Sequence, residues 1–169
     1  MRRLFLFLLL GIFFIFAFQA FAKIPKYSDL YKYFVDISGW KAEKPTGINV
    51  SNQMEEFVTA KRAYFKGKLS LEVVIFSGPQ AIVGWAPFMS GMTIDTPEQF
   101  MKFEEFKGHK IGVHFKKKKK EGSIVCPLKI DKKSNIPVLF VMKFKGLSYK
   151  EALKILEKFP LKDMEKLFR

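Results

Sequence analysis

The sequence predicts an α+β domain: an antiparallel sheet of about five strands with helices packed on one face as a two-layer sandwich, preceded by an N-terminal signal helix. Three patterns carry that expectation. Apolar and polar residues alternate over several runs joined by Gly-containing turns, a capping box opens a helical stretch near the C-terminus, and the first 22 residues are built unlike the rest. Composition agrees. The 169 residues are 49% apolar with 20 Phe, 2 Trp and 5 Tyr, too aromatic for a disordered polyelectrolyte, and 11 Gly and 8 Pro are too few for a fibrous chain. A single Cys excludes an internal disulfide framework and any zinc site built from paired thiolates.

Arg2 and Arg3 precede an apolar run from Leu4 to Phe18, and Ala20-Phe21-Ala22 supplies a small-x-small cleavage pattern, the layout of a secretory signal peptide. As a helix that run spans about 22 Å, short of the roughly 30 Å hydrocarbon core. Cleavage after Ala22 is expected, with an uncleaved N-terminal anchor as the alternative. Either way residues 23–169 form a single exported α+β domain, periplasmic or extracellular, and membrane-associated if the segment is retained. Arg2-Arg3-Leu4-Phe5-Leu6 also resembles the core of a twin-arginine signal, a class that is usually less hydrophobic. Lys23 stands where a lipoprotein needs Cys.

Ser28 is placed to cap a helix through Ile37, with Leu30, Phe34 and Ile37 on one face and Gly39 ending it. Trp40 to Gln53 reads as a loop entering a short strand, its Trp in the core. Glu56 to Phe65 and Leu69 to Phe76, joined by Lys66-Gly67-Lys68, form a hairpin whose buried face holds Leu69, Leu71, Val73 and Ile75. Gln80 to Met92 is an apolar segment in which Pro87 should stop any helix near Ala86. Thr96 and Pro97 are placed as cap and first residue of a second short helix, with Phe100 and Phe103 on its apolar side.

Ile111, Val113 and Phe115 then alternate with polar residues, and Ile124, Cys126, Leu128 and Ile130 continue the face in a partner strand. Glu121-Gly122 is the expected turn, which leaves Lys116 to Lys120 at and beside a hairpin tip. The last strand, Ile136 to Phe144, puts Ile136, Val138, Phe140, Met142 and Phe144 on one face. Leu139 and Val141 on the other face call for cover there too. Ser148 and Glu151 form a capping box with Leu147 and Ala152 as its hydrophobic staple, and Ala152, Ile155, Leu156 and Phe159 mark a buried helix face before Pro160. Leu161 to Phe168 adds a final amphipathic turn or two. In element order the chain resembles small exported sandwiches of the PsbP type, a likeness that implies a layered fold and no function.

The formal net charge is +14, or +12 once Arg2 and Arg3 are removed with the signal. Asn and Gln are scarce beside abundant Lys and Glu, which points to a thermophile and accounts for much of the lysine without any site. Lys116, Lys117, Lys118, Lys119 and Lys120 nonetheless form a run of cations suited to an anionic partner, with Lys107, Lys110, Lys129, Lys132 and Lys133 near in sequence. Lipid head groups, lipopolysaccharide phosphates and acidic envelope polymers all fit, each lysine adding up to about 1 kcal/mol near an anionic surface. The bland counterpart is a solvated turn whose charge deters edge aggregation. The segment Ala81 to Met89 is by default a core crossover helix. Its alternative is a flap, hinged at Gly84, Pro87 and Gly91, with Trp85, Phe88, Met89 and Met92 contacting a lipid-like ligand or a partner protein.

His109 and His114, five apart, fall on opposite faces of one strand and share no metal without a bulge at Gly112. Cys126 reads as a buried thiol. The pairs Glu55-Glu56 and Glu104-Glu105 diverge in space, and neither a strained nucleophile turn nor a Gly-rich phosphate loop is present. No metal, cofactor or nucleic acid is expected. The expectation is an exported cell-envelope domain that binds an anionic or amphipathic partner without catalysis: a lipid head group, an envelope polymer or a partner protein. A hydrolytic enzyme with a dispersed active site and a structural accessory subunit of an envelope complex are the alternatives.

Overall fold

The alternating runs pair into one antiparallel sheet. The computed structural model describes residues 24–51, 56–130 and 137–168; the signal segment with Ala20 and Ala22, together with Glu55, Lys132, Lys133 and Ile136, lies outside the described residues. Nine strands are described: β1 (Lys41–Ala42), β2 (Thr46–Ser51), β3 (Glu56–Lys66), β4 (Leu69–Ser77), β5 (Ile94–Asp95), β6 (Gln99–Phe106), β7 (His109–Lys116), β8 (Glu121–Lys129) and β9 (Val138–Lys145). The short β1 and β2 lie one after the other along β3, and the order continues β3-β4-β9-β8-β7-β6-β5. Four short helices accompany them: α1 (Tyr27–Leu30, prolonged by a 3-10 turn at Tyr31–Tyr33), α2 (Gln80–Met89), α3 (Tyr149–Leu156) and α4 (Leu161–Leu167).

The antiparallel α+β class stands, but the sheet is wider than about five strands. One reason is a helix that does not form. Thr96 Oγ1 accepts from the backbone N–H groups of Glu98 and Gln99, and Thr96 N–H donates to Gln99 O, which closes a tight turn into β6 instead of capping a helix. In a strand Phe100 and Phe103 point to opposite faces. Both faces use them: Phe100 packs on Phe115 and Tyr149, Phe103 on Trp85.

The two-layer expectation is corrected as well, because helices lie on both faces. On the first face α1, α3 and α4 enclose the main core, in which Leu30, Val73, Ile75, Ile111, Ile124, Phe140, Met142, Leu156 and Met164 are all buried. Phe115 stacks on Phe144 at 5.9 Å between ring centres, and Phe159 meets both Phe140 and Tyr64. On the second face α2, alone among the described helices, seats Ala81, Trp85 and Phe88 on Val125 and Leu139, with Val141 beside them. The chain has no other course. It leaves β4 in mid-sheet and must reach β5 at the far edge, so the connection crosses a face, and the Leu139–Val141 side of β9 is the one needing cover. Gly112 makes the crossing fit, since a Cβ there would overlap the ring of Phe88.

Local chemistry moves several boundaries. α1 begins after Lys26, whose N–H reaches Asp29, so Ser28 is not its cap; the helix gives way to the 3-10 turn, yet Leu30, Phe34 and Ile37 are buried as expected. Trp40 is only half-buried against the core. Pro87 does not stop α2, which runs two residues further to Met89: the missing N–H falls in the last turn, where Phe88 is already anchored on the sheet. Glu121 and Gly122 belong to β8, and Lys116 pairs with Glu121, so the turn is Lys117 to Lys120. The register slips between Pro127 and Lys129, and Ile130 consequently packs on the second face with α2, not in line with Cys126.

The capping box forms as expected. Glu151 N–H donates to Ser148 Oγ at 3.3 Å, and Ser148 N–H donates to Glu151 Oε2 at 2.8 Å. The hydroxyl and N–H of Ser148 hold the Glu151 carboxyl below its ordinary range. Ser148→Ala should lower stability by about 1 kcal/mol in equilibrium urea unfolding at neutral pH. A depressed carboxyl stabilises above its unfolded pKa and loses that contribution as pH falls through the folded one. The gap between wild type and variant should therefore narrow in acid.

Candidate functional site

Strand register sorts the second face into rows that run across the sheet. Beneath α2 the row is apolar: Val74, Val141, Val125, Gly112 and Phe103 stand opposite one another in β4, β9, β8, β7 and β6. Two residues further along each strand the row becomes Glu72, Lys143, Ser123 and His114, and the next is Ser70, Lys145, Glu121, Lys116 and Gln99. These polar rows lie open beyond the helix and line a depression of about 600 Å³, with Phe65 at one margin. Lys143 pairs with Glu72 at 3.2 Å, Lys145 with Glu121 at 3.4 Å, and His114 Nε2 meets Gln99 Oε1 at 3.0 Å. Exposed pairs of this kind hold their partners weakly. The cations remain available.

At the end of those rows two lysine-bearing turns converge. Gly146, which follows β9 with φ +80°, donates its N–H to Lys120 O at 2.8 Å, and a Cβ on it would lie 3.6 Å from Lys68 O. The β3–β4 turn (Lys66-Gly67-Lys68) and the β7–β8 turn thus flank the end of β9. Lys66, Lys68, Lys118, Lys119, Lys120 and Lys145 are all exposed there.

The predicted run of five lysines divides accordingly. Lys116 stands in the open row; Lys118 and Lys119 project with no partner among the described residues; Lys120 adopts a left-handed φ of +49°, and its carbonyl serves Gly146. Lys117 turns back. Its ammonium donates to Thr96 O at 2.7 Å and to Asp95, while its N–H donates to Glu98 O, pinning the β5–β6 turn to the β7–β8 turn. Lys107 and Lys129 belong elsewhere, paired with Glu157 and Phe168 O. Sequence reasoning missed Lys66, Lys68, Lys143 and Lys145. The alternation of the last strand already put Lys143 and Lys145 on the Val141 side, but nothing local says that β9 lies between β4 and β8.

The apolar segment splits. Trp85 and Phe88 are 7% and 6% exposed and face the sheet, their rings 5.5 Å apart, whereas Met89 and Met92 are 63% and 50% exposed and point away. The four do not line one cavity.

On the first face His109 Nδ1 lies 2.9 Å from Glu165 Oε1 and ties α4 to β7, while His114 is on the opposite face. A cavity of about 360 Å³ beside His109 is lined by Phe106, Lys107, Glu157, Phe159 and Lys162 among others, with no Ser, Thr or Cys in its wall. Cys126 is fully buried; burial, and then the charge of Glu165, push its thiol up to about 12, so it stays neutral. Among the described residues no group of three metal-ligating side chains occurs, and no helix is long and apolar enough to cross a membrane.

Comparison with protein-family models, curated proteins and solved structures gives no match to this chain. Any functional reading therefore rests on geometry.

Trp85→Ala should cost about 3–5 kcal/mol in thermal or urea unfolding, the usual loss when a packed aromatic is truncated. An unchanged midpoint would mean that α2 detaches as a flap. Cys126 should react with a charged maleimide only on unfolding, and rapid native labelling would contradict its burial.

Proposed function

We propose that this is an exported, non-catalytic cell-envelope domain that binds phosphate-bearing anionic surfaces, phospholipid head groups foremost, through the basic end of its sheet. One observation carries the proposal: the turns Lys66–Lys68 and Lys117–Lys120 meet at Gly146, beside an open face that adds Lys116, Lys143 and Lys145. Phosphates suit such a cluster because ammonium groups on long stems reach an anionic plane without fixed geometry. At roughly 1 kcal/mol per lysine near an anionic membrane, the cluster supports reversible, salt-sensitive attachment. Export by the N-terminal segment would deliver the domain to such surfaces.

The test must separate the cluster from bulk charge, since a chain of net charge +14 adheres somewhat to any polyanion. Replacing Lys68, Lys118 and Lys119 with Gln removes three cations from the basic end. Replacing Lys158, Lys162 and Lys166 removes three exposed ones from just past the end of α3 and from α4, beside His109 and Lys107 at the opposite end of β7. Both variants should keep their stability within about 0.5 kcal/mol. In sedimentation with vesicles containing phosphatidylglycerol, only the first should bind markedly less, and wild-type binding should weaken as salt shortens the Debye length below about 8 Å. Equal loss in both variants would assign the binding to net charge and remove the site.

A further inference from the structure

We infer that α2 and the chain from Met92 to Ile94 form a membrane-inserting element: on an anionic bilayer this apolar ridge enters the boundary between head groups and acyl chains while the lysine end holds the phosphates. The inference rests on the anionic-surface reading and adds to it a second, uncharged contact. Ala81, Trp85 and Phe88 account for the inward side of α2. The residues between them and at its end are all apolar, and of these Ile82, Val83, Ala86, Pro87 and Met89 form the exposed outer side. A helix that is apolar all round is normally buried on all sides. Here Val83 is 72% exposed, and Ile82, Met92 and Ile94 are exposed with it.

The surrounding sequence matches. In a chain with 27% charged residues, none occurs from Val73 through Ile94. The ridge also runs into the basic end. Phe88 rests on Gly112, Ile94 pairs with Met101, and the next two residues, Asp95 and Thr96, are the ones that Lys117 grips. Met92 and Ile94 are therefore neighbours of the turn that projects Lys118 and Lys119. That juxtaposition selects the occupant. Lysine is depleted from the cores of protein–protein interfaces, whereas flexible cations bordering an apolar ridge are the composition of elements that lie in a lipid interface about 5–10 Å deep.

The processed chain from Lys23, which contains every residue of both cores, should be compared with Val83→Asp/Met89→Asp, a change at two exposed sites that should leave the unfolding midpoint in place. On vesicles of phosphatidylcholine with phosphatidylglycerol, the variant should bind about tenfold more weakly. A Met92→Cys protein labelled with a polarity-sensitive dye, feasible because Cys126 is buried, should be quenched by nitroxides on the acyl chains. A dye at Lys162→Cys, on α4 at the opposite end of the sheet, should not. If the aspartate variant binds like wild type and the Met92→Cys dye is reached only by aqueous quencher, insertion is wrong and attachment by lysine alone stands. If the Lys68/Lys118/Lys119 variant binds like wild type while the aspartate variant does not, the lysine reading is wrong and insertion stands. Failure of wild type to bind either these vesicles or pure phosphatidylcholine would overturn both. Should the aspartates instead dissociate a dimer and leave vesicle binding intact, the ridge is a contact between copies and the inference fails.

Discussion

Strand β9 pairs with β4 on one side and β8 on the other, and this double pairing joins two meanders into one sheet. Its residues explain why it sits at the centre. Val138, Phe140, Met142 and Phe144 alternate with Leu139 and Val141, so the strand is apolar on both sides for most of its length and suits no edge. From that placement the layers follow. One side must be closed by α1, α3 and α4, the other by α2, and β4 can reach the far edge only by crossing the second of these.

Local patterns were legible wherever the deciding contacts are local. The hairpin around Gly67, the inward set of β7 and the Ser148–Glu151 box are all set by neighbours a few residues away. Failures occurred where distant pairing decides. Thr96-Pro97 has the residues of a helix start, and Phe100 with Phe103 has helical spacing. The partner strand from His109 to Lys116 outweighs both by offering eight opposed residues and two half-buried ring positions, one packed on each core. The helix and strand readings of a short apolar run differ little in local free energy, so a tertiary partner settles them. The expected turn at Glu121-Gly122 failed similarly: pairing of Lys116 with Glu121 left the lysines themselves to reverse the chain.

The lysine run was visible as charge but not as a site, because its members differ only in what they touch. Lys117 is structural, spending its ammonium on Thr96 and Asp95. Lys118 and Lys119 touch nothing described. The contrast also bears on heat adaptation as the source of the charge. Networks of surface pairs serve that purpose, whereas Lys107–Glu157 and Lys166–Asp163 are single pairs. Lys66, Lys68, Lys118 and Lys119 make no ion pair among the described residues; gathered on two turns, they gain nothing from pairing and repel one another, which is a cost in a fold and an asset against an anionic surface.

The open face has a simple geometric origin. Side chains on one face of a strand are about 6.8 Å apart, and a helix with its side chains is about 10–12 Å across, so one helix shelters roughly two positions per strand. On β9 the sheltered pair is Leu139 and Val141, and the next two on that face are Lys143 and Lys145. The other face has three helices over it, and its four positions stay apolar to the end at Phe144. The same limit holds in β8, where Val125 under α2 gives way to Ser123 and Glu121, and in β7, where Gly112 gives way to His114 and Lys116. Because the switch to polar residues falls at the same row in three adjacent strands, the edge of α2 is written into each of them. The polar depression and the apolar ridge are thus two consequences of one short helix. It is too narrow to cover the face it crosses, and it carries on its outer side apolar residues that nothing else in the described chain covers.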